Sequence, residues 1–454
     1  MKKGEVMKDK IEKAVNYLLK NFEGDEINIT VLMENNNLTR FYESRIHQNM
    51  SIKGVEFVLS LAIGKKIGTY SFTKFDEQNL KNSLKKLKEI TLHSKEIEEF
   101  DGFTPPSEIK DTDALNEETY NFSEMQRAGF VEKIVQNLGD AKGYGIVSTG
   151  GSEIFIFNSK GVSLHKKQSD AHITITAWKG EHSGWAEGHS RRIGDLSPEK
   201  LSERARKKVE FDSEKIELKP GEYPAILEFP AVGDVISFMG WIGFSARTYH
   251  EKRNFLVGRL GKKIFSDKFS LIDDPFNPMN FNFPFDFEGS PKSKIELVNK
   301  GVPVNLVYDR RTAKKENRET TGHCVGIPPS TFPYPTNMEM ERGEKTLEKI
   351  IQDTDYGVYI TRFHYTNIVH PIDFVLTGMT RDGTFLIENG KITKPVKNLR
   401  FTDSFIRVFS EIEDISEERE IIGGGNSYGF RFPAGILAPA VKVKSIKFSS
   451  GTIF

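Results

Sequence analysis

A single cysteine, Cys324, stands in 454 residues. Its isolation excludes an internal disulfide and a thiolate metal cluster and fits a reducing compartment, so the cytoplasm is the expected location. Excess charge of either sign is also missing, since Lys plus Arg number 64 and Asp plus Glu number 64. Without a basic surplus to neutralise a phosphate backbone, a nucleic-acid partner is not expected. Long hydrophobic runs are absent too. Residues 1–13 are charged and lack an apolar signal-peptide core, and the longest early apolar run, residues 55–63, is interrupted by Glu56 and far short of the ~20 residues that span a bilayer. Neither secretion nor membrane insertion is expected.

What remains is a chain long enough for two or three domains at about 150 residues each. Ile11, Val15, Leu18, Leu19 and Phe22 recur at helical spacing and predict an amphipathic helix over residues 8–22. β-Branched and aromatic stretches predict strands over 27–34, 41–48, 54–62 and 68–73, after which Asp76 caps a helix to about residue 92. Ser123 and Gln126 form a capping box for a helix through Leu138. Strands follow at 144–148, 153–158, 163–167 and 171–178, and Ser197-Pro198 opens a helix to about Glu210. The same grammar thus occurs in units 8–95 and 120–211, which suggests duplication of a strand-rich unit with a C-terminal helix. A polar stretch at 212–220 marks the expected boundary between a domain of residues 1–215 and one of residues 216–454.

The second half is strand-dominated and punctuated by Gly and Pro. Helices are expected at 232–246, buried, at 343–353, on the surface, and at 402–413, capped by Thr402. Residues 273–294 carry closely spaced prolines and read as a long ordered loop whose phenylalanines pack either on the chain's own core or on a neighbouring subunit. Asp382-Gly383 and Asn389-Gly390 supply the positive backbone angles of tight hairpin turns around Phe385, Leu386 and Ile387, predicting a meander. Such turns outnumber βαβ spacings, which argues against all-parallel winding. The expected fold is α+β: a strand-and-helix N-terminal half joined to a largely antiparallel C-terminal domain of sandwich or barrel type.

The wording TGMTRDGTFLIENG, followed by KNLRFTDS, closely resembles the C-terminal domain of the TldD/PmbA family, bacterial and archaeal proteins associated with cytoplasmic metal-dependent proteolysis. Gly184-Trp185-Ala186-Glu187, Ser245-Ala246-Arg247, Asp273-Asp274-Pro275 and Thr321-Gly322-His323 extend the resemblance over nearly the whole chain. Zinc-binding members of that family carry H-E-x-x-x-H early in the C-terminal domain and a cysteine ligand near the chain's end. In such a motif two histidines hold the metal and the glutamate activates its water. Here the corresponding stretch is Phe229-Pro230-Ala231-Val232-Gly233-Asp234, in which both histidines and the glutamate are replaced, at Phe229, Pro230 and Asp234. No cysteine follows Cys324, and Gly423-Gly424-Gly425 lies where the third ligand would be expected. The resemblance therefore points to the TldE/PmbA-like branch, which lacks the metal motif.

Other candidates compete with blander readings. His250-Glu251 begins a zincin-like string, but no second histidine follows at a useful spacing, so it reads as an exposed polar pair. His364 and His370 share strand parity in an extended chain and would approach His323 and Cys324, giving N and S donors soft enough for zinc, although Pro371 interrupts that parity. Cys324 beside His323 has the residue types of a nucleophile and its base, yet strand neighbours point to opposite faces, so a small buried thiol is expected. Arg310-Arg311 and Arg381-Asp382 are candidate carboxylate binders, with solvated turn charges as the alternative. Gly423 to Gly425 lacks the Lys-Ser/Thr of a phosphate loop and reads as a flexible or tightly turning link.

Taken with the resemblance, these readings imply a non-metal-binding subunit of a zinc-dependent proteolytic system, not catalytic alone. Zinc is expected in a TldD-like partner, the assembly being a heteromer or a homodimer, and an exposed strand would hold unfolded or extended peptide by β-augmentation. Two alternatives stay open: a metallopeptidase with a divergent site at His323, Cys324, His364 or His370, and a non-enzymatic regulator or scaffold, echoing the family's description as a modulator of DNA gyrase.

Overall fold

The computed structural model describes residues 3–423 and 430–451. In the first half, helix α1 (Lys3–Asn21) precedes strands β1 (Glu26–Tyr42), β2 (Arg45–Ile63) and β3 (Lys66–Phe72), closed by α2 (Glu77–His93). Helix α3 (Glu124–Leu138), strands β4 (Lys142–Asn158), β5 (Ser163–Lys179) and β6 (His182–Ser190), and α4 (Pro198–Lys207) repeat that succession. The six strands form one antiparallel sheet in the order β3-β2-β1-β4-β5-β6. Alternate residues of the central strands face two different layers. Ile27, Ile29, Val31 and Phe155 pack under α1 and α2, while Phe41, Val147, Ile173 and Ile175 pack under α3 and α4. On the opposite face Leu32, Val58, Ile154 and Ile156 meet Phe283 and Phe285 of the 273–294 loop, so these rings anchor the loop on the chain's own first sheet.

The expected helix caps are present: Asp76 accepts from the Asn79 amide, Ser123 and Gln126 exchange hydrogen bonds, and Ser197 accepts from the Lys200 amide. Strand lengths differ from expectation. Residues 27–34 and 41–48 are not separate strands, because β1 runs unbroken to Tyr42 and the turn falls at Glu43-Ser44, both with positive φ (47° and 61°). Residues 144–158 and 163–178 likewise fall in single long strands, and β6 is an addition to the expected set.

Among the described residues the second half forms a mixed eleven-stranded sheet. Its centre is β7 (Gly221–Leu227), β8 (Tyr356–His370), β9 (Val375–Glu388), β10 (Leu399–Ser404) and β12 (Gly435–Gly451), and β11 (Ile412–Ile422) adds to β12. β12 also pairs with β7, so the hydrogen-bonded path β7-β8-β9-β10-β12 closes into a ring, and of the two expected architectures this is the barrel. Parallel pairing of β7 with β8, and of Asn337–Met340 with β12, makes the sheet mixed.

Four local expectations are corrected. Asp382-Gly383 has the predicted positive φ (52° and 125°) but lies inside β9, where two residues oppose Thr361 as a bulge; only Asn389-Gly390 turns the chain, and β8 and β9 are joined after Pro371. The helix placed at 402–413 is strand β10 followed by one short helix, Phe405–Ser410, so Thr402 is a strand residue and not a cap. The helix placed at 232–246 begins earlier as α5 (Phe229–Phe238) and ends in a π turn, Met239–Gly243; that placed at 343–353 is Leu347–Gln352, capped by Thr346.

Candidate functional site

Strand β7 leads through Glu228 directly into α5. Pro230 is tolerated there because the first turn of a helix has no use for its missing N–H. Phe229, Ala231, Val232, Val235 and Ile236 are buried, making α5 a core helix, and Gly233 lets β11 approach so closely that a Cβ would lie 2.5 Å from Ile422. Asp234 turns the other way. It lines a cavity of about 300 Å³ with Trp185 and Glu187 of β6, Arg362 of β8, and Ile422 and Gly423 at the end of β11. The Thr366 hydroxyl donates to the Asp234 carboxylate. Burial pushes the Asp234 carboxyl up to about 6; the Thr366 bond and the Arg362 charge oppose that rise, and the Glu187 charge adds to it.

A second cavity of about 820 Å³ continues from Glu187 along β6 to Arg191 and Arg192, walled by Lys200 and Arg204 of α4 and by Arg419, Glu420 and Ile421 of β11. Both cavities lie between β6 and β11, and Glu187 lines each of them. β6 ascends from Trp185 to Ser190 while β11 descends from Ile422 to Arg419, and neither uses this side for a strand ladder. Two carbonyls on the free edge of β6 are taken: Arg204 donates to the Glu187 carbonyl at 2.8 Å and Lys208 to the Trp185 carbonyl at 3.0 Å. The same two cations pair with buried Glu228, Lys208 at 2.6 Å, and Arg204 also pairs with Glu420. This charge cluster ties α4 to the start of α5.

A zinc site of the family's kind needs imidazole or thiolate donors. At this location Phe229 and Pro230 supply none, Asp234 and Glu187 are carboxylates, and the sequence from Gly423 to Phe430 contains neither His nor Cys. The residues present do not fit that ion. Gly424 and Gly425 of the glycine run lie outside the described residues.

Elsewhere, His323 is buried between Asp273, at 2.9 Å from Nε2, and the Thr321 carbonyl, at 2.8 Å from Nδ1. Cys324 is buried, its thiol donates to the Gly326 carbonyl at 3.3 Å, and burial pushes the thiol pKa up. His364 packs edge-to-face against Tyr365, and His370 faces Asp373 at 3.1 Å. Positive φ at Tyr365 and register shifts after His364 and Ile368 break the parity assumed for β8. Among the described residues, no group of three or more His, Cys, Asp or Glu side chains is arranged to hold a metal ion. His250 meets Glu316 at 2.6 Å, Glu251 pairs with Arg247 and Arg253, and Arg310 and Arg311 face Asp101 and Glu99 beside a crevice of only about 40 Å³. Asp382 pairs with Arg362, whose guanidinium stacks 4.0 Å from the Trp185 ring.

Sequence reading singles out Gly184-Trp185-Ala186-Glu187 without giving it a role. It passes over the cations Arg191, Arg192, Lys200 and Arg419, because only the fold gathers them.

Residues 220–450 match the PmbA/TldA metallopeptidase C-terminal domain. A metalloprotease TldD homolog of Buchnera aphidicola is 26% identical over 238 residues, 51% of this chain and 47% of its own. The chain thus spans about half the length of that curated relative. A metalloprotease PmbA homolog from the same organism is 22% identical over 382 residues, 82% of this chain and 78% of its own. Among solved structures, TldE from Thermococcus kodakarensis superposes with a TM-score of 0.85 at 20% identity, covering 97% of this chain and 100% of that one. A putative modulator of DNA gyrase from Thermotoga maritima gives 0.83 at 18%, covering 98% and 100%. Those two likenesses establish the fold. No helix among the described residues is long and apolar enough to cross a membrane. With its closed strand ring, its core helix directly after β7 and a family match over half its length, the chain belongs to the PmbA/TldD metallopeptidase family.

Proposed function

We propose that this chain is the non-metal-binding member of a zinc-dependent peptidase pair. It contributes subunit interface and a surface for unfolded or extended peptide, while a TldD-like partner carries the zinc and the hydrolytic step. The observation that carries this reading is the start of α5, where a buried phenyl ring, a proline and one carboxylate stand beside an open groove. Such a set supplies no metal-activated water, yet a groove of this size accepts a peptide segment. Relatives described as metalloproteases support the proteolytic setting. On this reading the protein works in the cytoplasm, as its single cysteine suggests, and residues 1–215 and 216–454 act as two domains.

Isolation of the native complex, identification of its chains and measurement of metal per chain test the reading. A co-purifying TldD-like chain that holds the zinc, with peptide cleavage needing both chains, is the expected result. Stoichiometric zinc in this chain, abolished by His364→Ala, would establish a divergent metallopeptidase site instead. Recovery without any zinc-bearing homologue would favour a regulator or scaffold.

A further inference from the structure

The outer edge of the first sheet is only partly covered. β2 spans Arg45–Ile63, yet β3 pairs only with residues 57–63, so residues 45–56 are bonded to β1 on one side and meet no strand on the other. About 40 Å of backbone edge is left open. In the second unit the corresponding overhang is closed. β6 pairs with residues 171–179 of β5, and the chain at 111–116 runs along what β6 leaves. There the Ser169 amide donates to the Ala114 carbonyl at 3.1 Å, the Asn116 amide to the Ser169 hydroxyl at 2.8 Å, and Lys166 to Asp111 at 2.6 Å. Among the described residues no backbone hydrogen bond reaches residues 45–56 from outside β1. Neither a proline nor a covering segment protects this edge. Ile46 is 49% and Ile52 45% exposed, and Arg45, Lys53 and Glu56 make no ion pair among the described residues.

The residues of the edge narrow what fits it. A bulge at His47, between the pairs Arg40–Gln48 and Phe41–Ile46, turns Arg45 onto the face that carries Met50, Ile52 and Glu56. A cation thus stands at one end of that face and an anion at the other. When β2 is set antiparallel to itself, centred on Ser51 and with the bulge passed over, Arg45 comes opposite Glu56, Ile46 opposite Val55 and Met50 opposite Ile52. Opposite charges meet at both ends, apolar pairs lie between them, and no like charges face each other. The hairpin tip, Glu43-Ser44, then reaches Phe57 of the other copy, the first residue that β3 occupies, so each overhang fills the edge that the other copy's β3 leaves open.

We propose that residues 45–56 dock a second copy of this chain, the two β2 edges pairing antiparallel about a two-fold axis at Ser51 to make one continuous sheet. Such an isologous contact closes on itself. The overhang supplies about ten backbone hydrogen bonds, as many as an ordinary stable interface holds. This pairing does not draw on the peptidase reading, and either can fail alone.

Analytical ultracentrifugation of the full chain, over a concentration series near neutral pH and low salt, should give twice the mass of one chain. Arg45→Glu and Glu56→Arg each set like charges opposite one another at both ends of the pairing and should raise the dimer Kd about tenfold, while the double variant should restore it. Thermal unfolding of each variant confirms that it is folded. Ser51→Cys places a thiol beside its own copy at the ~5 Å Cα separation of opposed strand residues, within the span of a disulfide, so added oxidised glutathione should join two chains covalently. The native chain, whose lone Cys324 is buried, should stay unjoined. A single-chain mass at every concentration, or a dimer indifferent to both charge reversals, would overturn the proposal. So would protection of the 45–56 amides from hydrogen exchange that arises only when a TldD-like chain or an extended peptide is added.

Discussion

Asp234 sits on a core helix whose burial disfavours a charge, and only the Thr366 hydroxyl and the more distant Arg362 guanidinium favour the ionised form. Its folded-state pKa, about 6, lies above the ordinary 3.8, so the folded protein holds this proton more tightly than the unfolded chain does. Stability therefore falls as pH rises from about 4 through about 6 and then levels, with up to about 3 kcal/mol at stake. Asp234→Asn keeps the shape and removes the titration. Its thermal midpoint should exceed that of the native chain at about pH 8 and match it near pH 4. Equal shifts at both pH values would show that the carboxyl titrates normally.

At the scale of elements, local chemistry is legible in the sequence and long-range pairing is not. Capping residues act within one turn, so Ser123 with Gln126 announces α3 by itself; Ser123→Ala should cost about 1 kcal/mol, measurable by denaturant titration. The strand expected to end at Glu34 runs on through Asn35-Asn36-Asn37. In the sheet these three residues lie opposite Gly151, Gly150 and Thr149 of β4, and Asn35 donates to the Tyr120 carbonyl at 2.7 Å. A Cβ at Gly150 would lie 1.9 Å from the Asn35 carbonyl, so polar residues and glycines on adjacent strands fit each other, a match visible only once the strands are paired. The bulge in β9 makes the same point. Asp382-Gly383 announces its positive φ in the sequence but not whether the chain turns or bulges, which depends on β8 alongside. Gly383→Ala would force a strained φ of +125° and bring a Cβ to 2.4 Å from Thr361, so a loss of about 1–3 kcal/mol is expected. Gly54→Ala, with nothing within 4 Å of the added carbon, is the control and should be close to neutral by the same denaturant titration.

At the scale of the whole molecule, the groove lies in the seam between the first sheet and the second half, so what holds the seam also shapes the groove. Arg431 crosses that seam. It comes from the second half and is fully buried against the first sheet, donating to both Asp170 carboxylate oxygens at 2.6 and 2.8 Å, to Asn36 at 2.9 Å and to Ser148 at 3.0 Å. Burial works against the Asp170 charge, but Arg431 and His189 outweigh it and hold the carboxyl down at about 2. Its folded pKa is thus below the ordinary 3.8, so the contribution to stability is present above about pH 4 and is lost as pH falls toward 2. Arg431→Ala strands a buried carboxylate and should cost about 3–5 kcal/mol near neutral pH. Adding Asp170→Asn to Arg431→Met removes both charges and keeps most of the volume, so the double variant should lose less than Arg431→Ala alone. Denaturant titrations of the three proteins at neutral pH and near pH 3 decide the matter. If the double variant is as unstable as Arg431→Ala, packing at the seam rather than the ion pair joins the two halves, and the acid limb of the stability curve should then be unchanged in Arg431→Ala.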